Sequence, residues 1–138
     1  MNRAAIQKSL QDRAILLWAK FTRSHPKLAA FECPKIVLNG RYTRSAGMSF
    51  YTLNRIDISL KFFIFHETTI KNEILVHELA HQVQYNLYGE KAMKANNGHG
   101  VEWQNIMKIH GAKPDRYHKL TIPPISLNEM IELYDSKN

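Results

Sequence analysis

Cysteine is almost absent from this 138-residue sequence, which contains Cys33 and no other. A single cysteine excludes a disulfide within the chain and a four-cysteine zinc site, and it is typical of a protein kept in a reducing compartment. The sequence also lacks an apolar run near the roughly 20 residues that a membrane span needs. Its first residues lack the apolar core of a secretory signal. These absences predict a cytoplasmic protein that does not enter a membrane.

Acidic residues are also scarce. The 12 aspartates and glutamates are outnumbered by 19 lysines and arginines, which gives a formal charge of +7 and an isoelectric point near 9.6. Such a surface attracts polyanions and favours salt-sensitive, sequence-independent binding of nucleic acid. On charge alone, a solvated basic surface without a partner is an equally good interpretation.

The length and the order of apolar patterns predict a single α+β domain over residues 1–138. It begins with a helix over residues 4–24, where apolar residues recur on one face, and His25-Pro26 ends that helix. A further short helix is expected over residues 101–110, closed by Gly111.

Three strands are expected between the first helix and the middle of the chain. Their predicted bounds are residues 35–38, 41–51 and 55–65. Asn39-Gly40 is a hairpin-like turn signal after the first strand. Near the C-terminus, Ser126-x-x-Glu129 is a capping box that predicts a last short helix.

The centre of the sequence contains the pattern H-E-x-x-H, at His77, Glu78 and His81. The surrounding residues predict one buried helix, capped near Thr68-Thr69 and ended at Gly89. Residues four apart lie on the same face of a helix, so both imidazoles can bind one zinc ion, and Glu78 can act as general base on its water. The alternative is a pair of hydrogen-bonded core histidines with Glu78 paired to a lysine.

A catalytic zinc ion needs a third protein ligand. The candidates beyond the helix are Glu90, His99, Glu102, His110, Asp115 and His118. His99 is favoured because Gly98 and Gly100 flank it and allow the backbone to direct its imidazole towards the helix. The alternative is an ordinary loop histidine beside a turn.

The combination of these motifs resembles the SprT-like family, whose best-known eukaryotic member is Spartan. The residues that carry the resemblance are His77-Glu78-x-x-His81, Gly98-His99-Gly100-x-x-Trp103 and Gly111-Ala112-x-Pro114-x-x-x-His118, and it covers about residues 36–120. It implies a zincin-like fold, one zinc ion bound by His77, His81 and His99, and Glu78 as general base. It also implies a peptidase that works on DNA, associated with the nucleoid in a bacterium.

One feature departs from that family. Many bacterial members end in a zinc ribbon with paired cysteines, so a chain with one cysteine is expected to be the catalytic core alone. Zinc is the expected metal, and three histidines also accept other first-row ions.

The site needs two further elements, a peptide-binding edge and an oxyanion stabiliser. An extended peptide is expected along residues 45–51, where Gly47 allows close backbone approach. Tyr117 and His118 are candidate oxyanion stabilisers, although packing or surface positions explain them better. No narrow pocket is indicated, so broad specificity towards DNA-bound or DNA-crosslinked proteins is expected.

Two other functions remain open. One is a repressor-cleaving peptidase resembling the ImmA/IrrE group, although the third ligand of that group is usually acidic. The other is a non-catalytic DNA-binding module with a structural zinc ion, which would have no use for Glu78.

Overall fold

The computed structural model describes residues 1–115 and 119–137. Helix α1 spans Arg3–Ser24, as the sequence predicts, and the Asn2 side chain accepts a hydrogen bond from the Ala5 backbone N–H at its start. Its buried face includes Leu10 and Phe21. Tyr117 and His118, the candidate oxyanion stabilisers, lie outside the described residues.

A three-stranded sheet follows α1. Its strands are β1 (Lys35–Asn39), β2 (Gly47–Phe50) and β3 (Arg55–Ser59). Strand β3 lies in the middle, parallel to β1 and antiparallel to β2. The hairpin expected at Asn39-Gly40 is therefore wrong, because β1 and β2 do not pair. The second strand is also shorter than predicted.

The predicted third strand is wrong beyond Ser59. The Ser59 side chain accepts a hydrogen bond from the Phe62 backbone N–H and begins helix α2, Leu60–Thr69. Within β3, the charged residue Asp57 is buried. Its carboxylate accepts hydrogen bonds from Arg55, Asn39 and Tyr42, which compensate its burial.

The two edges of the sheet differ. Along β1, the side-chain oxygens of Gln11 and Gln7 accept hydrogen bonds from the backbone N–H groups of Ile36 and Leu38, each at 2.8 Å. Helix α1 thus occupies donors that would otherwise be free at that edge. Strand β2 forms the other edge.

The H-E-x-x-H segment lies in helix α3, Leu75–Tyr88. Helix α2 leads into it through a π-helical turn at Ile70–Ile74, so the cap predicted at Thr68-Thr69 does not exist. Gly89, with a φ of 81°, ends α3 as predicted. Leu79, Ala80 and the other residues from Leu75 to Gln84 are buried all around the helix.

Three short helices complete the described chain: α4 (Glu90–Lys94), α5 (Val101–His110) and α6 (Leu127–Lys137). The predicted capping box is confirmed, because Ser126 Oγ accepts a hydrogen bond from the Glu129 N–H and Glu129 Oε1 accepts one from the Ser126 N–H. Gly111 ends α5 in the left-handed region.

The α+β fold of the sequence analysis is confirmed: an N-terminal helix, a small three-stranded sheet, a central metal-site helix and further short helices, consistent with a zincin-like protein. None of the helices in the described residues is long and apolar enough to cross a membrane. The extent of the domain, residues 1–138, remains a prediction.

Candidate metal centre

Three imidazoles converge beside α3. His77 and His81 lie one turn apart on the helix, and the Nε2 atom of His99 lies 3.1 Å from that of His77 and 3.2 Å from that of His81. Among residues 1–115 and 119–137, these three form the one cluster of three or more potential metal ligands. A tetrahedral zinc ion with bonds of 2.0–2.1 Å separates its ligand atoms by about 3.3 Å. The donor set and its spacing therefore fit such an ion.

The turn before His99 explains how that imidazole reaches α3. Asn96, Asn97 and Gly98 all have positive φ, a conformation that asparagine tolerates better than most side chains and glycine adopts freely. A Cβ atom at Gly98 would lie 3.3 Å from the His81 ring. The His99 Nδ1 lies 3.3 Å from the Asn96 carbonyl oxygen, which can only accept, so Nδ1 carries the proton and Nε2 faces the cluster.

Trp103 of α5 packs against all three rings. Its centroid lies 4.9 Å from that of His77, 4.7 Å from that of His99, and 5.4 Å from that of His81, on which it stacks. The indole is fully buried and donates its N–H to the His77 carbonyl oxygen at 3.4 Å. The sequence places Trp103 on an apolar stripe, but nothing in that stripe indicates that it supports the whole cluster.

Burial shifts the pKa values of Glu78 and His81 on α3 in opposite directions. It lowers the pKa of His81 to about 3, and the charge of His99 acts in the same direction. The neutral imidazole is the form that binds a metal ion. Burial also raises the pKa of Glu78 to about 8, which the backbone of Ser49 partly opposes. A divalent cation beside Glu78 would favour the carboxylate.

A cleft of about 500 Å³ opens over Glu78 and the three histidines. Residues 44–49, Tyr51, Met93, Asn97 and Gly98 are among the residues that line it. Gly47 permits the close contact of β2 with α3, since a Cβ atom there would lie 2.9 Å from Ile74 Cγ2 and 3.2 Å from Glu78 Cγ. The sequence predicts close approach of a peptide at Gly47; the structure shows close approach of Gly47 to α3.

Gly47→Ala is therefore expected to destabilise the fold by about 1–3 kcal/mol, through overpacking between β2 and α3. Urea denaturation measures the change. Ile74→Ala removes the atom in closest contact, so the double variant should lose less than the sum of the two single losses. Gly111→Ala is the control, because its Cβ atom meets nothing within 4 Å and only the positive φ opposes it. Strictly additive losses at Gly47 and Ile74 would contradict this explanation.

Among the described residues, the other sequence candidates (Glu90, Glu102, His110 and Asp115) do not join the cluster, and His118 lies outside the described residues. Glu90 accepts a hydrogen bond from the Tyr51 hydroxyl at 3.4 Å, at the rim of the cleft. His110 stacks on Phe21 with centroids 4.1 Å apart, and burial lowers its pKa to about 4. His99 is thus the candidate that the structure brings to His77 and His81. The roles of these three histidines as ligands and of Glu78 as base remain predictions.

A buried H-E-x-x-H helix beside a small sheet, with a third histidine supplied by the following turn, defines a zincin-like protein with a candidate metal site. The chain belongs to the SprT-like family, whose model matches residues 16–122. The resemblance noted from the motifs is confirmed, and the match begins further upstream, within α1.

Curated relatives agree with the family match. The chain is similar to Protein SprT of Vibrio atlanticus (strain LGP32), 29% identical over 96 residues, or 69% of this chain and 54% of the relative. It is also similar to Protein SprT of Pseudomonas entomophila (strain L48), 28% identical over 80 residues, or 57% of this chain and 46% of the relative. The chain thus spans about half the length of the curated relatives it matches. No solved structure matches it at a significant level.

Proposed function

We propose that this chain is a zinc-dependent endopeptidase that cleaves proteins bound or crosslinked to DNA. The observation that carries the proposal is the position of Glu78, which lines the same open cleft as the three converging imidazoles. A structural metal site has no need of a carboxyl group facing a cleft. A hydrolytic site needs one as general base.

In this proposal His77, His81 and His99 hold one zinc ion. When bound, zinc supplies an acidified water and a Lewis acid for the scissile carbonyl oxygen. Glu78 accepts the proton of the attacking water and later donates it to the leaving amine. Its Oε2 lies 3.9 Å from the His77 Nε2, so the base and the ligand cluster adjoin.

The substrate binds along β2. The Ala46 carbonyl oxygen accepts a hydrogen bond from the Ser59 N–H at 2.9 Å. Because pairing in an antiparallel ladder alternates, Gly47 and Ser49 direct their backbone groups away from β3, towards the cleft. An extended peptide can add to that edge through main-chain hydrogen bonds, which carry little side-chain specificity.

The charge of the chain supports DNA as the partner. The formal charge is +7, and Arg44 lines the cleft. Lys91 and Lys94 are exposed on α4, beside the cleft wall at Met93. Basic groups at this position attract a polyanion to the side on which substrate enters. We expect the protein to act in the cytoplasm, on the nucleoid of a bacterial cell.

The test is cleavage of a DNA-binding protein with and without DNA, after removal and restoration of zinc. Chelation should abolish cleavage, zinc should restore it, and DNA should raise its rate. The stimulation by DNA should disappear at high salt, since phosphate contacts weaken as salt rises.

The same assay separates the other two functions. Cleavage of one repressor alone, unaffected by DNA, would indicate a repressor-cleaving peptidase. Binding of zinc and DNA without cleavage under any of these conditions would indicate a non-catalytic module.

A further inference from the structure

Helix α3 contains two buried glutamines, Gln82 and Gln84, in similar environments. Each donates its side-chain N–H to a backbone carbonyl at 3.0 Å, Gln82 to Tyr51 and Gln84 to Ala92. Because a carbonyl oxygen only accepts, this contact fixes which end of each amide carries the NH₂ group. The Oε1 atom is therefore at the other end. Neither Oε1 atom accepts a well-aligned hydrogen bond from any of the described residues.

His81 has a complementary atom. If its Nε2 binds a metal ion, the proton of the neutral ring resides on Nδ1. That Nδ1 is buried, and it too makes no well-aligned hydrogen bond within the described part of the chain. A buried N–H without an acceptor is costly. In His99, by contrast, the Nδ1–H has an acceptor, the Asn96 carbonyl oxygen.

Gln84 is placed to supply the acceptor for His81. The two residues are three apart on one helix, and side chains at that spacing are neighbours. The anchor of the amide, the Ala92 carbonyl oxygen, lies in α4, where the adjacent Met93 packs beside Gly98 and the His81 ring. Gln84 Oε1 and His81 Nδ1 are thus a buried acceptor and a buried donor on neighbouring side chains, and the Gly98 backbone also lies beside the His81 ring.

We propose that Gln84 is a positioning residue of the metal centre, whose Oε1 accepts a hydrogen bond from the His81 Nδ1–H and holds that imidazole in the metal-binding tautomer and orientation. This inference rests on the proposed zinc site. Its chemistry is general, because histidine ligands of metal ions are oriented by an acceptor at the nitrogen that does not bind the metal. The Ala92 carbonyl oxygen holds the Gln84 amide in place, and that amide orients the His81 ring. The ring then directs its Nε2 towards the metal ion.

The experiment compares Gln84→Met with Gln82→Met. Both variants replace a buried amide on α3. Gln84→Met loses its hydrogen bond to the Ala92 carbonyl oxygen, and Gln82→Met loses two, to the Tyr51 carbonyl oxygen and to Asn86 Oδ1, so the control should destabilise the fold at least as much. Of the two glutamines, only Gln84 is three residues from His81 and can reach the same face of the helix. Zinc affinity, measured by competition with a chromogenic chelator, should fall about 10–100-fold in Gln84→Met and stay at the parental value in Gln82→Met.

Gln84→Glu provides a second variant that keeps an acceptor and loses the donor to Ala92. Its zinc affinity should lie closer to the parental value than that of Gln84→Met. In the zinc-loaded parent, NMR should detect a slowly exchanging His81 Nδ1–H, which Gln84→Met should lose. Thermal melting of each metal-free variant shows whether it folds.

Parental zinc affinity in a folded Gln84→Met variant would overturn the inference and show that the Gly98 carbonyl is a sufficient acceptor. An equal loss in Gln82→Met would overturn it as well. Either result leaves the proposed function intact. If the parent chain itself binds no zinc, both the proposed function and this inference are wrong.

Discussion

Glu78→Gln is expected to keep bound zinc and to lower the rate of peptide cleavage by about 10²–10⁴-fold. The amide has the shape of the carboxyl group, but it cannot accept the proton of the attacking water. The three imidazoles are untouched, so zinc content should equal that of the parent. Metal analysis and the DNA-stimulated cleavage assay measure the two quantities.

Glu73→Gln is the matched control. Glu73 lies in the π-helical turn upstream of the same helix and is exposed. Its variant should cleave at the parental rate. A Glu78→Gln protein that cleaves as fast as the parent would show that another group acts as base.

The same substitution has a pH-dependent effect on the metal-free fold. Burial raises the pKa of Glu78 from 4.5 to about 8, so between these values the folded chain holds a proton that the unfolded chain has released. The contribution of Glu78 to stability therefore declines as pH rises through this window. Glu78→Gln does not titrate there, and its stability relative to the parent should rise from pH 4.5 to 8. Melting curves in chelator across this range test the sign.

Trp103→Ala is expected to have the largest effect on stability, a loss of about 3–5 kcal/mol in the free energy of unfolding. The substitution leaves a cavity where the indole is now fully buried, and it removes the surface against which His77, His81 and His99 pack. Zinc affinity should fall as well, because the rings lose their common support. Urea denaturation with and without zinc measures both effects.

Two comparisons isolate the role of the indole. Trp103→Phe keeps a ring but loses the N–H donated to the His77 carbonyl oxygen, so its loss should be smaller. Val101→Ala alters the same helix at a position that is 68% exposed and should change little. A Trp103→Ala protein as stable as Val101→Ala would be inconsistent with the packing described here.

Much of the fold follows from local patterns. The N-terminal helix, the helix that ends at Gly111 and the capping box at Ser126 are all as predicted, because periodicity and capping chemistry act within a few residues. The strand boundaries were less accurate. The run after Ser59 is apolar enough for a strand, and only the cap at that residue converts it to a helix. The parallel pairing of β1 with β3 has no local signal at all.

The candidate site likewise has a part that local sequence signals predict and a part that they do not. Spacing and flanking glycines favour His77, His81 and His99 as candidate ligands, because those signals lie in the sequence itself, and the structure brings the three side chains together. The supporting residues depend on contacts between distant segments. Trp103 lies against rings from α3, Gln84 donates to α4, and Gly47 lets β2 pack closely against α3. Their roles required the structure.

The glutamines that bind β1 also limit how copies of this chain can associate. A sheet edge that accepts a peptide can also accept the strand of a neighbouring molecule. With Gln7 and Gln11 occupying donors of β1, the described sheet offers β2 as its pairing edge. A sheet with one pairing edge can join one other such sheet and then has no edge left. Edge-to-edge addition beyond two molecules would need the β1 edge, whose occupied donors disfavour growth into a fibre.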